Sequence, residues 1–301
     1  MEDSFEKAIQ PEERIKGQTG FIFDIKFAEH KNPWDPNHIE CPERILRAKK
    51  RCEELKLTEK CQQIQTRMAT EEEMLICHSK EYLQNLASIS KMDPNQRKEK
   101  CLKDFHSVYM NEQSFEVAKL AVGSAIELTK SMLTDQIQNG LALLRPPGHH
   151  AQKSFGNGFC LLNNVAIAAR YAQKMGKRVV IVDLDVHHGQ GSQYFFYDDP
   201  DVIYFSIHRW EFGEFWPHLR EGNFDYIGGD LTMPSCGKNI NIPLNKTGLG
   251  DSDYLSIFHQ VLLPVLHEFN PDLILVSAGF DSSIGCPEGQ MKVCVFKNFL
   301  S

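Results

Sequence analysis

Four short apolar runs in this sequence each end in residues that can carry chemistry. Residues 141–144 lead into Arg145-Pro-Pro-Gly-His149-His150, and residues 178–182 into Asp183-Leu-Asp185-Val-His187-His188-Gly-Gln190-Gly. The run 202–207 ends at His208, and 273–278 leads into Gly279-Phe-Asp281. In an extended segment alternate side chains share a side, so Asp183, Asp185 and His187 point one way as the strand runs out. Asp185 and His187 make a carboxylate–imidazole pair for a divalent metal, and Asp281 could converge on the same point. Two oxygens and one nitrogen leave a fourth position open, the pattern of a catalytic zinc site. A D-x-H after a strand is also a common turn or capping feature, and spacing alone leaves both readings open. The recurrence of acidic or imidazole groups after four strands favours a cation, because such groups are costly to bury together without one.

His149 and His150 follow a Pro-Pro-Gly turn that stiffens the backbone and aims two imidazoles beyond the strand. An imidazole titrating near neutrality can take a proton from water and give one to a leaving amine. Asp183 and Gln190 are available to orient the pair. Taken alone, adjacent histidines also occur in loops with no role.

The elements that must position these groups alternate. Short apolar runs at 20–25, 141–144, 178–183, 202–207, 239–242 and 273–278 read as buried strands. Helical stretches are expected at 43–55, 72–78, 115–133, 164–174 and 253–269. Strands spaced by helices predict an α/β fold with a mostly parallel sheet covered on both faces. Such a sheet presents ligands beyond the carboxyl ends of its strands, where the residues above lie. Residues 1–18 are polar and expected to be flexible, and no internal repeat or low-complexity linker follows.

Composition narrows the class. The chain has 301 residues, 42% hydrophobic and 24% charged, enough for one large domain. A net charge of -7 argues against direct nucleic-acid binding, which needs surplus Lys and Arg. No apolar stretch approaches a membrane span, and Met1 to Lys16 has no secretory pattern. The nine cysteines show no C-x-x-C spacing, so reduced thiols in a cytoplasmic or nuclear protein are expected.

The blocks RPPGHH (145–150), GNGFCLLNN (156–164), VDLDVHHGQG (182–191), YFSIHR (204–209) and SAGFD (277–281) resemble, in order and spacing, the histone deacetylases. The likeness covers roughly residues 19–290, and WDPNHIECPERI, Gln190 and FWPH at 215–218 resemble the class II branch with the tubulin and polyamine deacetylases. The resemblance implies a three-layer α/β/α arginase-like fold, with Zn²⁺ on Asp185, His187 and Asp281. It implies that His150 is the general base and that His149, oriented by Asp183, is a mainly electrostatic partner. Gly158, Phe159 and Trp216 match the slot that admits an acetyl-lysine stem, and Ser107 matches a rim residue that accepts a hydrogen bond from the substrate backbone. A K⁺ site matches Asp183, Asp185, His187, Ser206 and Ile207, and a second matches Phe196, Asp199 and Val202. The implied partners are acetylated proteins such as histones or tubulin.

Two features depart from the family pattern. Glu288 lies where polyamine-preferring members carry an acidic gatekeeper, yet residues 34–40 are too short for their constricting insertion. After Met291 the family continues to another strand and a tyrosine loop, whereas this chain reads Lys292-Val-Cys-Val-Phe-Lys-Asn-Phe-Leu-Ser301. The resemblance thus implies an incomplete catalytic domain over 19–291, a divergent tail over 292–301, and loss of an oxyanion donor typically worth about 10²–10³-fold in rate. The expectations are a zinc-dependent lysine deacetylase, with an acetylpolyamine deacetylase or an inactive binding or regulatory form as alternatives. An arginase-type manganese hydrolase would need a richer set of bridging carboxylates.

Overall fold

Residues 179–183 are apolar up to the terminal aspartate and buried throughout, as a parallel strand covered on both faces must be. In the computed structural model, residues 18–294 are described, so most of the expected flexible N-terminus and divergent tail lies outside the described residues. The first half runs β1 (Thr19–Ile22), α1 (Pro42–Glu54), β2 (Gln62–Gln63), α2 (Glu71–Met74), α3 (Lys80–Ser90), α4 (Pro94–Asp104) and α5 (Ser114–Leu133). Next come β3 (Asn139–Ala142), α6 (Asn164–Lys174), β4 (Val179–Asp183), α7 (Gln190–Phe196) and β5 (Val202–Arg209). The chain continues through β6 (Asn239–Leu244), α8 (Asp251–Ile257), α9 (Leu263–Phe269) and β7 (Leu273–Ser277). A single π-turn, Phe258–Leu262, joins α8 to α9 into the long helix the sequence predicts.

All strand pairings are parallel, but they form two sheets rather than one: β2-β1-β3, and β6-β5-β4-β7. The larger sheet is the middle of three layers. Alternation along β4 sends Val179 and Ile181 into a core shared with α5 and α6, and Val180 and Val182 into one shared with α8 and α9. Of the expected buried strands, β3 is a correction: its first three residues are exposed, with Leu141 at 41%. Strand β7 alternates as well, leaving Ile274 at 45% and Val276 at 48% exposed. Each is the edge strand of its sheet among the described residues; β7 lacks cover on one face, and the start of β3 on both.

The helices missing from the sequence-based reading are α3, α4 and α7. Cap signals are present for the first two: Ser79 accepts from the Tyr82 amide, and Asp93 precedes Pro94 at the first turn of α4, whereas α7 starts after Gly189 with no side-chain cap. Helix α4 is polar nearly all round, so it has no apolar period to detect. No described helix is long and apolar enough to cross a membrane. None of the nine cysteines is paired.

Candidate active site

Beyond β4 the chain stops being extended. Asp183 Oδ1 accepts from the Asp185 amide (3.2 Å), and Asp185 Oδ1 accepts from the His187 amide (2.8 Å). These turns aim Asp185 and His187 toward Asp281, whose Oδ1 accepts from the Val186 amide at 2.8 Å. Register does the rest, since β4 pairs with β7 up to Asp183–Ser277 and so the two strand tails emerge side by side. His187 Nδ1 ends 3.0 Å from Asp185 Oδ1 and 2.9 Å from Asp281 Oδ2. The ligand atoms of Asp185, His187 and Asp281 all lie within 4.8 Å of one another.

Two largely buried carboxylates facing one imidazole fit a divalent cation. The same two carboxylates also favour a proton on the imidazole. Burial pulls the His187 pKa down, but hydrogen bonds to Asp185 and Asp281 outweigh it and push it up to about 10. A metal must displace that proton. Near neutral pH, binding is therefore expected to release about one proton, and affinity to weaken about tenfold per unit as pH falls. Calorimetric titration of zinc in buffers of different ionisation enthalpy measures this, and a proton count of zero would contradict it.

A second triad overlaps the first: His149, His150 and Asp185 also bring ligand atoms within 4.8 Å. Its imidazoles already have other partners. His149 Nδ1 is 2.9 Å from Asp183 Oδ2, and His150 Nδ1 is 2.7 Å from Gln190 Oε1. The amide oxygen only accepts, so His150 carries its proton on Nδ1 and leaves the Nε2 lone pair free to act. The two environments diverge. Burial would lower His149, but Asp183 and Asp185 prevail and push it up to about 9. Burial, followed by the charge on His149, holds His150 well below its usual range. The surroundings thus favour the charged form of His149 and the neutral form of His150. His208, at the end of β5, does not join them: its ring is bonded to Ser206 Oγ and the Gly222 carbonyl, each at 2.8 Å.

The proposed slot residues gather at this point. Gly158 (φ 47°) is buried, and a side chain there would meet His150 Cδ2 and Trp216 Cη2, each at 2.5 Å. Trp216 stands edge-on to His150, with ring centroids 4.6 Å apart. Phe159 (φ 67°) is fixed to the rim, because its amide donates to the Ser107 carbonyl at 2.8 Å. Phe215 and His38 were not singled out from the sequence. Phe215 stacks on His187 at 5.1 Å, and the His38 ring abuts Phe159 at 4.9 Å. The neighbouring FWPH block was a signal for the first, and the short 34–40 segment for the second.

Glu288 is exposed on a segment tied to the site, its carbonyl accepting from Arg209 Nη1 at 3.0 Å. Asp183 faces Ser206 across the β4–β5 pairing, and Ile207 follows on β5. Phe196 closes α7 and Val202 opens β5, while the Asp199 carboxylate between them is held by Arg170 and Gln173. Lys292 and Val293 bridge to Gly250 and Ser283, so the start of the expected tail packs into the domain.

Known proteins resemble this chain over most of its length. The histone deacetylase domain model matches residues 38–297. Polyamine deacetylase HDAC10 of Danio rerio is 46% identical over 280 residues, covering 91% of this chain and 40% of that protein. Histone deacetylase 6 of Caenorhabditis elegans is 43% identical over 280 residues, covering 92% of this chain and 29% of that protein. The chain thus spans less than half the length of these relatives. Among solved structures, the HDA15 HD domain matches with a TM-score of 0.83 at 34% identity, over 92% of this chain and 77% of that one.

Proposed function

Because the chain belongs to the histone deacetylase family, we propose that it hydrolyses the acetyl amide of an acetylated lysine side chain in proteins, releasing acetate, with zinc held by Asp185, His187 and Asp281. The observation that carries this reading is the convergence of Asp185, His187 and Asp281 beside two adjacent imidazoles with different partners, Asp183 on His149 and Gln190 on His150. Paired groups driven to opposite protonation states divide acid–base labour. His150 Nε2, neutral, takes the proton of the attacking water and returns it to the departing amine. His149, cationic and held by Asp183, favours negative charge developing on the acetyl oxygen. Zinc in this site would supply Lewis-acid polarisation of the carbonyl and acidify the attacking water.

The slot formed by Gly158, Phe159 and Trp216 suits an alkyl stem, with Ser107 at its rim to accept a bond from a peptide backbone. We assign K⁺ to the backbone around Asp183, Asp185, His187, Ser206 and Ile207, and to Phe196, Asp199 and Val202. The nine unpaired cysteines support a reducing compartment, the cytoplasm and also the nucleus. Histones and tubulin represent the substrate class, and the net charge of -7 disfavours direct nucleic-acid binding.

Glu288 favours a second substrate, an acetylpolyamine, whose free ammonium groups an exposed carboxylate attracts. Acetate release by the metal-loaded chain from an acetyl-lysine peptide and from an acetylpolyamine decides between them. On the polyamine reading, Glu288→Gln lowers polyamine kcat/KM about two- to fivefold relative to the peptide, the scale of one exposed charge pair. An unchanged ratio would remove the gatekeeper role. A folded, zinc-loaded chain that turns over neither substrate would overturn the enzyme reading and leave a binding or regulatory one.

A further inference from the structure

Three segments that wall the slot, 34–41, 106–109 and 145–150, are distant in sequence and meet in one buried polar cluster. Glu40, Tyr109 and Arg145 are each at most 4% exposed. Arg145 Nε donates to Glu40 Oε1 at 2.5 Å and Nη2 to Glu40 Oε2 at 2.7 Å, a two-pronged pair. Its Nη1 donates to the Phe27 carbonyl at 3.0 Å. The Tyr109 hydroxyl lies against Glu40 Oε2, 2.9 Å from the Glu40 carbonyl and 3.2 Å from Arg145 Nη2. His30 stacks flat on the Tyr109 ring at 4.5 Å, and His38 meets that ring edge-on at 4.8 Å.

The cluster reaches the slot through His38. The Glu40 amide donates to His38 Nδ1 at 3.1 Å, which fixes the imidazole, and its ring stands at 86° against Phe159. Phe159 is in turn tied to Ser107, and Ser107 is two residues from Tyr109. A buried ion pair is seldom the most stable way to fill such a space, since apolar residues of similar volume often do as well. What the planar guanidinium fork adds is direction: each oxygen of Glu40 has a set partner, so the loop carrying His38 has one register.

We propose that Glu40, Arg145 and Tyr109 form a positioning cluster that sets the width of the slot by pinning His38 against Phe159. The inference rests on the reading of this slot as the site for an acylated alkyl amine. None of the three residues is assigned a part in the chemistry, so their loss acts on substrate grip more than on turnover.

The test uses the full metal-loaded chain with His38→Ala, Glu40→Gln and the double variant Glu40→Met/Arg145→Met. Melting temperature, zinc content, KM and kcat are measured for each. Calorimetry gives the Kd of a peptide whose acetamide is replaced by a methyl ketone, a readout independent of catalysed turnover. His38→Ala is expected to raise KM and this Kd roughly tenfold or more, with kcat within about twofold and melting unchanged. Glu40→Gln should raise both constants and lower the melting temperature, because it leaves Arg145 buried without its counter-charge. The double apolar variant should regain stability but not affinity. Recovery of wild-type KM and Kd in that double variant, or an unchanged KM and Kd in His38→Ala, would reduce the cluster to a structural role and overturn the proposal. Failure of the wild-type chain itself to bind or turn over the peptide would instead strike the underlying deacetylase reading.

Discussion

Alanine at Gly279 is expected to strip the metal from the site while leaving the fold intact. Gly279 follows β7, and a Cβ placed on it would overlap the Asp185 carboxylate at Oδ2, Cγ and Cβ. Its backbone is not in the left-handed region, so alanine adds no dihedral strain and acts through this overlap alone. The methyl displaces Asp185, and with it the two contacts that Asp185 Oδ1 makes to the His187 amide and ring. One ligand is pushed out and a second loses its support. Changes to supporting groups alone cost metal affinity about 10–100-fold, so a displaced ligand should exceed the upper end of that range. Zinc content after dialysis, by elemental analysis, should fall from one per chain toward zero. The circular dichroism spectrum should stay unchanged, because Gly279 lies outside the strand and the packed core. A fully loaded Gly279→Ala chain would contradict this prediction.

His150→Ala should separate base from ligand. A positioned general base contributes about 10²–10⁴-fold to rate, so kcat is expected to drop by that factor while the chain keeps its zinc. The discriminating measurement is metal content, because His150 belongs to the second triad with His149 and Asp185. If zinc sat there, the variant would lose metal along with activity. The assignment to Asp185, His187 and Asp281 thus predicts an inactive, fully loaded His150→Ala chain. His149→Ala should behave differently from His150→Ala in its pH profile. Removing the His149 charge relieves one of the influences that hold His150 down, so the acidic limb should move to higher pH. That direction follows from sign alone: a base with a raised pKa is protonated, and lost, at a less acidic pH.

The convergence of these groups was legible in the sequence because they follow strands, and a parallel sheet delivers strand ends to one edge. Asp185, His187, Asp281, His149 and His150 could all be named before any coordinate was known, and the structure brings them together. Helices α1, α5 and α6 were legible for a similar local reason, a sustained apolar period with a clear end. Helix α4 was not, since its faces are almost uniformly polar and only the Asp93-Pro94 cap marks it.

What the tertiary structure decided is everything that depends on meeting across long sequence distance. Nothing local distinguishes His149 from His150. Their pKa values are driven apart because Asp183 and Asp185 come to one ring and push it up, whereas burial and the charge on His149 push the other down. The intolerance of Gly279 exists only because β7 lies beside β4 and its tail crosses Asp185. Glu40 reads in sequence as one more charged residue before α1. Only folding buries it against Arg145, 105 positions away, and makes it part of the wall. Side-chain type and spacing are local properties that the chain carries by itself, whereas burial, partner and protonation state are set by residues that only the fold brings near.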